Sequence, residues 1–187
     1  MEKSAALVVF GATGDLMSRK IAPSLFHLFE KGQLPENFSV IGFARRDLKD
    51  EGFRSLIRES ITKHLGHASA AVEQFIDCFS YHRGTFENEG DYKSLNQRLG
   101  SENNENNSCA NKMFYLAVPP EHYETILNRL VSSGLVDDCS PEKGWTRVLV
   151  EKPFGKDMVA AQALDRLLSS LFEEEQVYRI DHYLAKE

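Results

Sequence analysis

The order of apolar runs along this chain predicts an α/β fold, a doubly wound and mostly parallel sheet with helices on its faces. Three observations carry that prediction. Short continuous apolar runs alternate with segments of helical periodicity. A turn with two glycines closes the first run, and a pair of arginines closes the second.

Residues 5–10 (AALVVF) are too short for a helix, end in glycine and suit a strand buried on both faces. From Asp15 to about Lys31, apolar residues recur at helical spacing (Leu16, Ile21, Leu25, Leu28), and Gly32 suits the end of a helix. Pro23 falls inside that stretch and predicts a kink or a break into two pieces. Residues 38–43 are a second strand, followed by helices near 51–64 and 69–79, a short strand at 81–86 and a helix at 90–99. SENNENN, at 101–107, is the one low-complexity stretch and reads as a solvent loop. A strand at 112–118 ends in Pro119-Pro120, with a helix at about 121–133. A buried-type strand at 147–150, a helix at about 157–171 and a last strand at 176–180 complete the pattern. Strand–helix alternation of this kind implies right-handed β-α-β units.

The chain has 187 residues, which suits one domain with at most the edge of a second. Hydrophobic residues make up 42% and charged ones 27%, which excludes a disordered, collagenous or disulfide-scaffold chain. With 22 basic and 28 acidic residues the formal net charge is −6, against the basic field of a nucleic-acid binder. No apolar run approaches the roughly 20 residues that span a bilayer, and no signal sequence is expected at the start. Cys78, Cys109 and Cys139 are widely spaced and odd in number, so they read as reduced thiols in a cytoplasmic protein. His64 and His67 share a helical spacing without a third ligand nearby, and no metal is assigned.

Ligands of doubly wound sheets bind beyond the carboxyl ends of the strands. Gly11-Ala12-Thr13-Gly14-Asp15-Leu16 stands there on the first strand: Gly11 permits a tight turn, Gly14 a close approach to a pyrophosphate, and the following helix offers free N–H groups. Met17 replaces the third small residue of the usual spacing. The tip of the second strand, where an acid would select a free ribose 2′-hydroxyl, reads Phe43-Ala44-Arg45-Arg46-Asp47. Guanidinium groups grip phosphate oxygens bidentately, so Arg45, with Arg46 second, points to a 2′-phosphate and hence to NADP in a Rossmann-like domain.

Two further blocks, Glu151-Lys152-Pro153-Phe154-Gly155 and Arg179-Ile180-Asp181-His182-Tyr183-Leu184-Ala185-Lys186-Glu187, join the glycine turn. Together they resemble the glucose-6-phosphate dehydrogenase family, whose blocks read G-A-S/T-G-D-L, E-K-P-F-G and R-I-D-H-Y-L-G-K-E. Phe114-Tyr115-Leu116-Ala117-Val118-Pro119-Pro120 is similar to the family's F-Y-L-A-L-P-P. Ala185 and Val118 are the departures, and the likeness runs in order along the whole chain.

The resemblance implies that Gly11, Ala12, Thr13, Gly14, Asp15 and Leu16 line the cofactor phosphates and that Arg45 holds the 2′-phosphate of NADP. It implies that Tyr115 and Lys152 approach the nicotinamide, with Lys152 bridging to the sugar. Lys20 falls where the family often has a lysine near the active site. His182, Tyr183 and Lys186 would bind the 6-phosphate of glucose 6-phosphate, and Asp181 would orient a catalytic histidine belonging to a later domain. Catalytic roles thus fall on Asp181 and Lys152. The Lys152–Pro153 bond is expected to be cis, since only X–Pro bonds adopt that form at little cost. Residues 1–180 then form the NADP-binding domain and 181–187 begin the substrate domain.

The full-length family enzyme would oxidise glucose 6-phosphate to 6-phosphogluconolactone, the first step of the oxidative pentose phosphate pathway, as a cytoplasmic homo-oligomer without nucleic-acid or membrane partners. The 187 residues alone would bind NADP(H) without turnover. Two other readings are a stand-alone NADP(H)-binding module and a short-chain reductase. The latter lacks its Tyr-x-x-x-Lys pair, because Tyr183 to Lys186 is one residue short.

Overall fold

Apolar β-branched and aromatic runs too short for helices pair with one another and leave their connecting helices to cover the faces. The computed structural model describes residues 4–67, 69–102, 111–136 and 144–180. Among these, six strands form one sheet: β1 (Ser4–Phe10), β2 (Asn37–Ala44), β3 (Phe79–Arg83), β4 (Asn111–Leu116), β5 (Thr146–Glu151) and β6 (Val177–Ile180). Their order is β3-β2-β1-β4-β5-β6, and every neighbouring pair is parallel. The order reverses between β1 and β4, so the sheet is the doubly wound α/β type the sequence predicts.

Helices α1 (Ala22–Glu30), α2 (Asp50–Leu65) and α3 (Ala70–Ile76) pack on one face, over Leu7, Val9, Val40 and Phe79. Helices α4 (Glu89–Glu102), α5 (Tyr123–Ser132) and α6 (Met158–Leu171) pack on the other, over Val8, Phe10, Ile41 and Phe114. That second core centres on aromatic rings, with Phe10 tilted against Phe43 at 4.9 Å and stacked on Tyr92 at 5.8 Å. Each such buried ring contributes about 1.5–3 kcal/mol.

The break into two pieces expected near Pro23 takes the form of a change of helix type, and three differences from the sequence reading have physical reasons. The segment carrying Pro23 is a helix whose first part, Met17–Ile21, is a π-helical turn, and Ala22 N–H reaches Met17 O. The wider turn accommodates a proline that has no N–H to donate back to the chain. Strand β3 begins at Phe79 rather than 81, because Phe79 and Tyr81 bury on the first face and α3 stops at Ile76. Helix α4 runs on to Glu102, into the stretch read as loop. Strand β5 is not buried on both faces: Thr146, Val148 and Val150 are buried, while Arg147 and Leu149 are half-buried. Among the described residues no helix covers that part of the first face, and Arg147 lies 4.0 Å from the Trp145 ring centre and 5.2 Å from that of Tyr178.

The free edge of the sheet at β3 is tied by side chains rather than by another strand. Asp50 Oδ1 accepts from Tyr81 N–H at 2.6 Å, Arg98 donates to Tyr81 O at 2.8 Å, and Arg54 donates to Phe79 O at 2.8 Å. On the opposite face of β3, His82 stacks 5.5 Å from Phe43 and meets Ser94 Oγ at 3.1 Å and Asp91 O at 3.0 Å. Cys78 donates its thiol to Phe75 O at 2.9 Å, and burial pushes that thiol up to about 12, so it is a packed rather than a reactive cysteine. Cys109 and Cys139 lie outside the described residues.

The reversal point is crowded. Gly11 N–H bonds Phe43 O at 2.9 Å, Ala117 N–H bonds Phe10 O at 3.1 Å, and Gly11 has φ of +80°. A Cβ at Gly11 would stand 2.6 Å from Ala117 O and 2.7 Å from Val118 Cγ1. Gly42 is small for a different reason: a Cβ there would lie 2.5 Å from the Phe53 ring and 2.9 Å from Ala12 Cβ.

Two outcomes follow from these contacts. Gly11→Ala should lower the unfolding free energy by about 2–4 kcal/mol in urea denaturation, through the positive φ and the backbone overlap together. His82 is held below its ordinary value mainly by burial. Unfolded His82 therefore takes up a proton first as pH falls, and stability present above the unfolded value of about 6.5 is lost on descent through the folded one. Thermal melts from pH 7.5 to 5 should fall less steeply for His82→Gln than for the parent chain.

Candidate functional site

The carboxyl ends of β1, β2, β3 and β4 frame a cleft of about 340 Å³, with Gly11, Thr13, Arg45, Thr85, Val118 and His122 in its walls. A second cleft of about 610 Å³ lies between the glycine turn and α2, where Ala12, Gly14, Asp15, Arg19, Arg46 and Lys63 contribute. Thr13 lines both. The glycine turn is closed by Gly14 N–H to Gly11 O at 2.9 Å, and no side chain caps the helix that follows. Its first amides therefore remain available to an anion, at the positive end of the helix dipole.

Arg45 and Arg46 are both exposed, and neither has an ion pair among the described residues. Asp47, the acid next to them, is paired with Arg83 at 3.1 Å. The β2 tip is thus a cationic corner whose adjacent carboxylate is drawn sideways. Adjacent though they are, Arg45 lines the first cleft and Arg46 the second.

Of the residues expected at the cofactor site, Gly11, Ala12, Thr13, Gly14, Asp15, Arg45 and Arg46 come together around these two clefts. Leu16 instead packs, partly buried, against the first core. Lys20 is exposed on the π-helical turn and lines neither cleft. Tyr115 also lines neither: its hydroxyl donates to the carboxylate of Glu151. Burial first, then that bond, raise the Tyr115 phenol well above its ordinary value, so it remains a donor. Lys152 is exposed at the end of β5, its N–H bonds Ile180 O at 3.3 Å, and its bond to Pro153 is cis, as expected. Asp181, His182, Tyr183 and Lys186 lie outside the described residues.

Two residues that sequence reasoning passed over are prominent here. Glu151 is buried at 8% exposure, with Tyr115 on its carboxylate and the Tyr123 hydroxyl 3.3 Å from its carbonyl oxygen and 3.4 Å from its N–H. Its position beside Lys152 in the E-K-P-F-G block was the available signal. Tyr81, whose hydroxyl reaches the β2 tip, had none, because strand pairing alone brings it there. No helix among the described residues is long and apolar enough to cross a membrane, and none of their His, Cys, Asp and Glu side chains gather in threes as a metal site would require.

A family model described as glucose-6-phosphate dehydrogenase, NAD binding domain, matches residues 8–187. The chain is 40% identical over its full length to glucose-6-phosphate 1-dehydrogenases of Schizosaccharomyces pombe and of Bacillus subtilis, and covers 37% of each. It spans, then, somewhat over a third of the length of these relatives. Among solved structures it is similar to a glucose-6-phosphate dehydrogenase in complex with its substrate glucose-6-phosphate, with a TM-score of 0.86 and 33% identity over the whole chain and 38% of that protein. The Mycobacterium avium glucose-6-phosphate 1-dehydrogenase matches with a TM-score of 0.81 and 29% identity over 98% of this chain and 37% of its own. A short-chain dehydrogenase from Streptomyces avermitilis, 14% identical at a TM-score of 0.50, shares the fold alone. With a family model matched from the first strand to the last residue, the chain belongs to the glucose-6-phosphate dehydrogenase family, in its NAD-binding domain.

Proposed function

We propose that this chain binds NADP(H) across the carboxyl ends of β1, β2 and β4. In a protein as long as its relatives, it would then serve the oxidation of glucose 6-phosphate to 6-phosphogluconolactone. The observation that carries the coenzyme reading is the unneutralised Arg45–Arg46 corner beside the glycine turn, with Asp47 diverted to Arg83. An acid free at that corner would favour a ribose 2′-hydroxyl, whereas two guanidinium groups favour a 2′-phosphate.

The residues suit the group. Gly11 leaves the space a Cβ would fill, the uncapped helix offers amides to the pyrophosphate, and Thr13 stands between the two clefts. When bound, NADP+ supplies a hydride acceptor for C1 of the sugar. Lys152, at the mouth of β5, would hold the sugar against it, with its backbone fixed by the tyrosine-bonded Glu151 just before it. His182, Tyr183 and Lys186 would bind the substrate phosphate, matching a dianion with cationic groups and donors. Asp181 would orient a histidine base that removes the 1-hydroxyl proton, fixing its tautomer and stabilising the imidazolium. That histidine belongs to the family's later domain, so the 187 residues by themselves are proposed to bind coenzyme without turning over sugar.

Titration calorimetry with NADP+ and NAD+ tests the coenzyme half. The chain should prefer NADP+ by at least roughly tenfold, and Arg45→Ala should remove most of that preference by weakening NADP+ alone. Equal affinities in the parent chain would overturn the reading. For the catalytic half, the chain incubated with glucose 6-phosphate and NADP+ should show no sustained rise in absorbance at the wavelength of NADPH. In a full-length family enzyme carrying this domain, Lys152→Ala should cost chiefly kcat and Lys186→Ala chiefly raise KM.

A further inference from the structure

A single phenol oxygen touches both carbonyls that flank Arg45. Tyr81, on β3, is 5% exposed, and its hydroxyl lies 2.9 Å from Ala44 O and 2.9 Å from Arg46 O. One proton shared between two acceptors draws the two peptides together, with Arg45 at the apex of the bend between them. Tyr81 is itself immobilised from three sides. Asp50 at the start of α2 takes its N–H, Arg98 on α4 binds its carbonyl, and its ring packs 5.4 Å from that of Phe53.

We infer that Tyr81 is a positioning residue for coenzyme specificity: its hydroxyl sets the bend that sends Arg45 into the cleft at the β1–β4 reversal and Arg46 into the cleft beside α2. This rests on the NADP reading and adds to it a residue remote from the glycine turn and from the arginines in sequence. The arginines are long and rotatable, and no carboxylate among the described residues holds either of them. Their aim therefore comes from the backbone that bears them, and Tyr81 is the buried side chain that bonds that backbone on both sides of Arg45. Burial holds the Tyr81 phenol above its ordinary value, against the opposing positive charge of Arg46 and Arg83. It remains a donor to the two carbonyls at neutral pH.

Removing the hydroxyl leaves the tip folded. Ala44 O still accepts from Gly84 N–H at 3.1 Å and Arg46 O from Leu48 N–H at 3.0 Å, and a phenylalanine ring keeps the contact with Phe53. What is lost is the link between the two carbonyls, and with it the fixed direction of Arg45.

The experiment is calorimetric titration of the parent chain, Tyr81→Phe, Arg45→Ala and the double variant with NADP+, NAD+ and 2′,5′-ADP, with a thermal melt of each. Tyr81→Phe should weaken NADP+ and 2′,5′-ADP by about five- to tenfold, the loss expected when one charge-assisted contact is misaimed, and NAD+ by less than about twofold. In the Arg45→Ala background the same change should cost NADP+ nothing further, since the residue being aimed is gone. Equal losses for NADP+ and NAD+ in Tyr81→Phe, or effects that simply add in the double variant, would overturn the positioning role. A parent chain without preference for NADP+ would overturn the NADP reading and this inference with it. A parent preference that Tyr81→Phe retains in full overturns the inference alone.

Discussion

The backbone crossing at Gly11 is the constraint on which the rest of the site depends. There β1 ends against its two neighbours at once, donating to Phe43 O on β2 and accepting from Ala117 N–H beyond β4 through Phe10 O. Only a residue without Cβ fits, because Ala117 O would otherwise stand 2.6 Å away. The narrow waist makes the chain leave the sheet sharply, so that two clefts open on either side of the same four-residue turn. The helices before β3 cover one face and those after it cover the other, as right-handed crossovers running in opposite directions along the sheet require.

Much of this was readable from the chain alone, and the readable part is local. A run such as residues 5–10 announces a strand because no helix could bury it, and the glycine turn follows within its next few residues. The arginines at the tip of β2 carry their chemistry in their own side chains. What escaped reading depends on partners far apart in sequence. Tyr81 looks like any strand tyrosine until pairing of β2 with β3 places its hydroxyl under residues 44 and 46. The bond from Tyr115 to Glu151 is likewise non-local, because pairing of β4 with β5 sets the two on one face of the sheet. The start of β3 is not legible locally, because Phe79 reads equally well as the end of a helix and only its fit against the first core decides.

Charge shows the same division between average and place. The chain as a whole is acidic at −6, yet Arg45, Arg46, Arg19 and Lys63 all border the two clefts. Of the acids nearby, Asp47 is paired with Arg83, while Asp15 and Glu59 border one cleft and Glu87 the other. Cationic side chains gathered at the tip of β2 raise the local potential there even though the chain as a whole is acidic. Whole-chain charge therefore describes solubility, while the arrangement at the strand tips describes recognition.

The side chains along the outer edge of β3 have a consequence for the behaviour of the protein in concentrated solution. An open strand edge exposes a row of amides and carbonyls on which another chain can build. Here Asp50, Arg98 and Arg54 occupy those groups at Tyr81 and Phe79, with charged ends that a foreign strand would have to displace and strip of water. The contacts that steady Tyr81 from outside thus also seal the sheet against edge-to-edge aggregation on that side. Weakening them would loosen the tip of β2 and expose that edge in the same stroke.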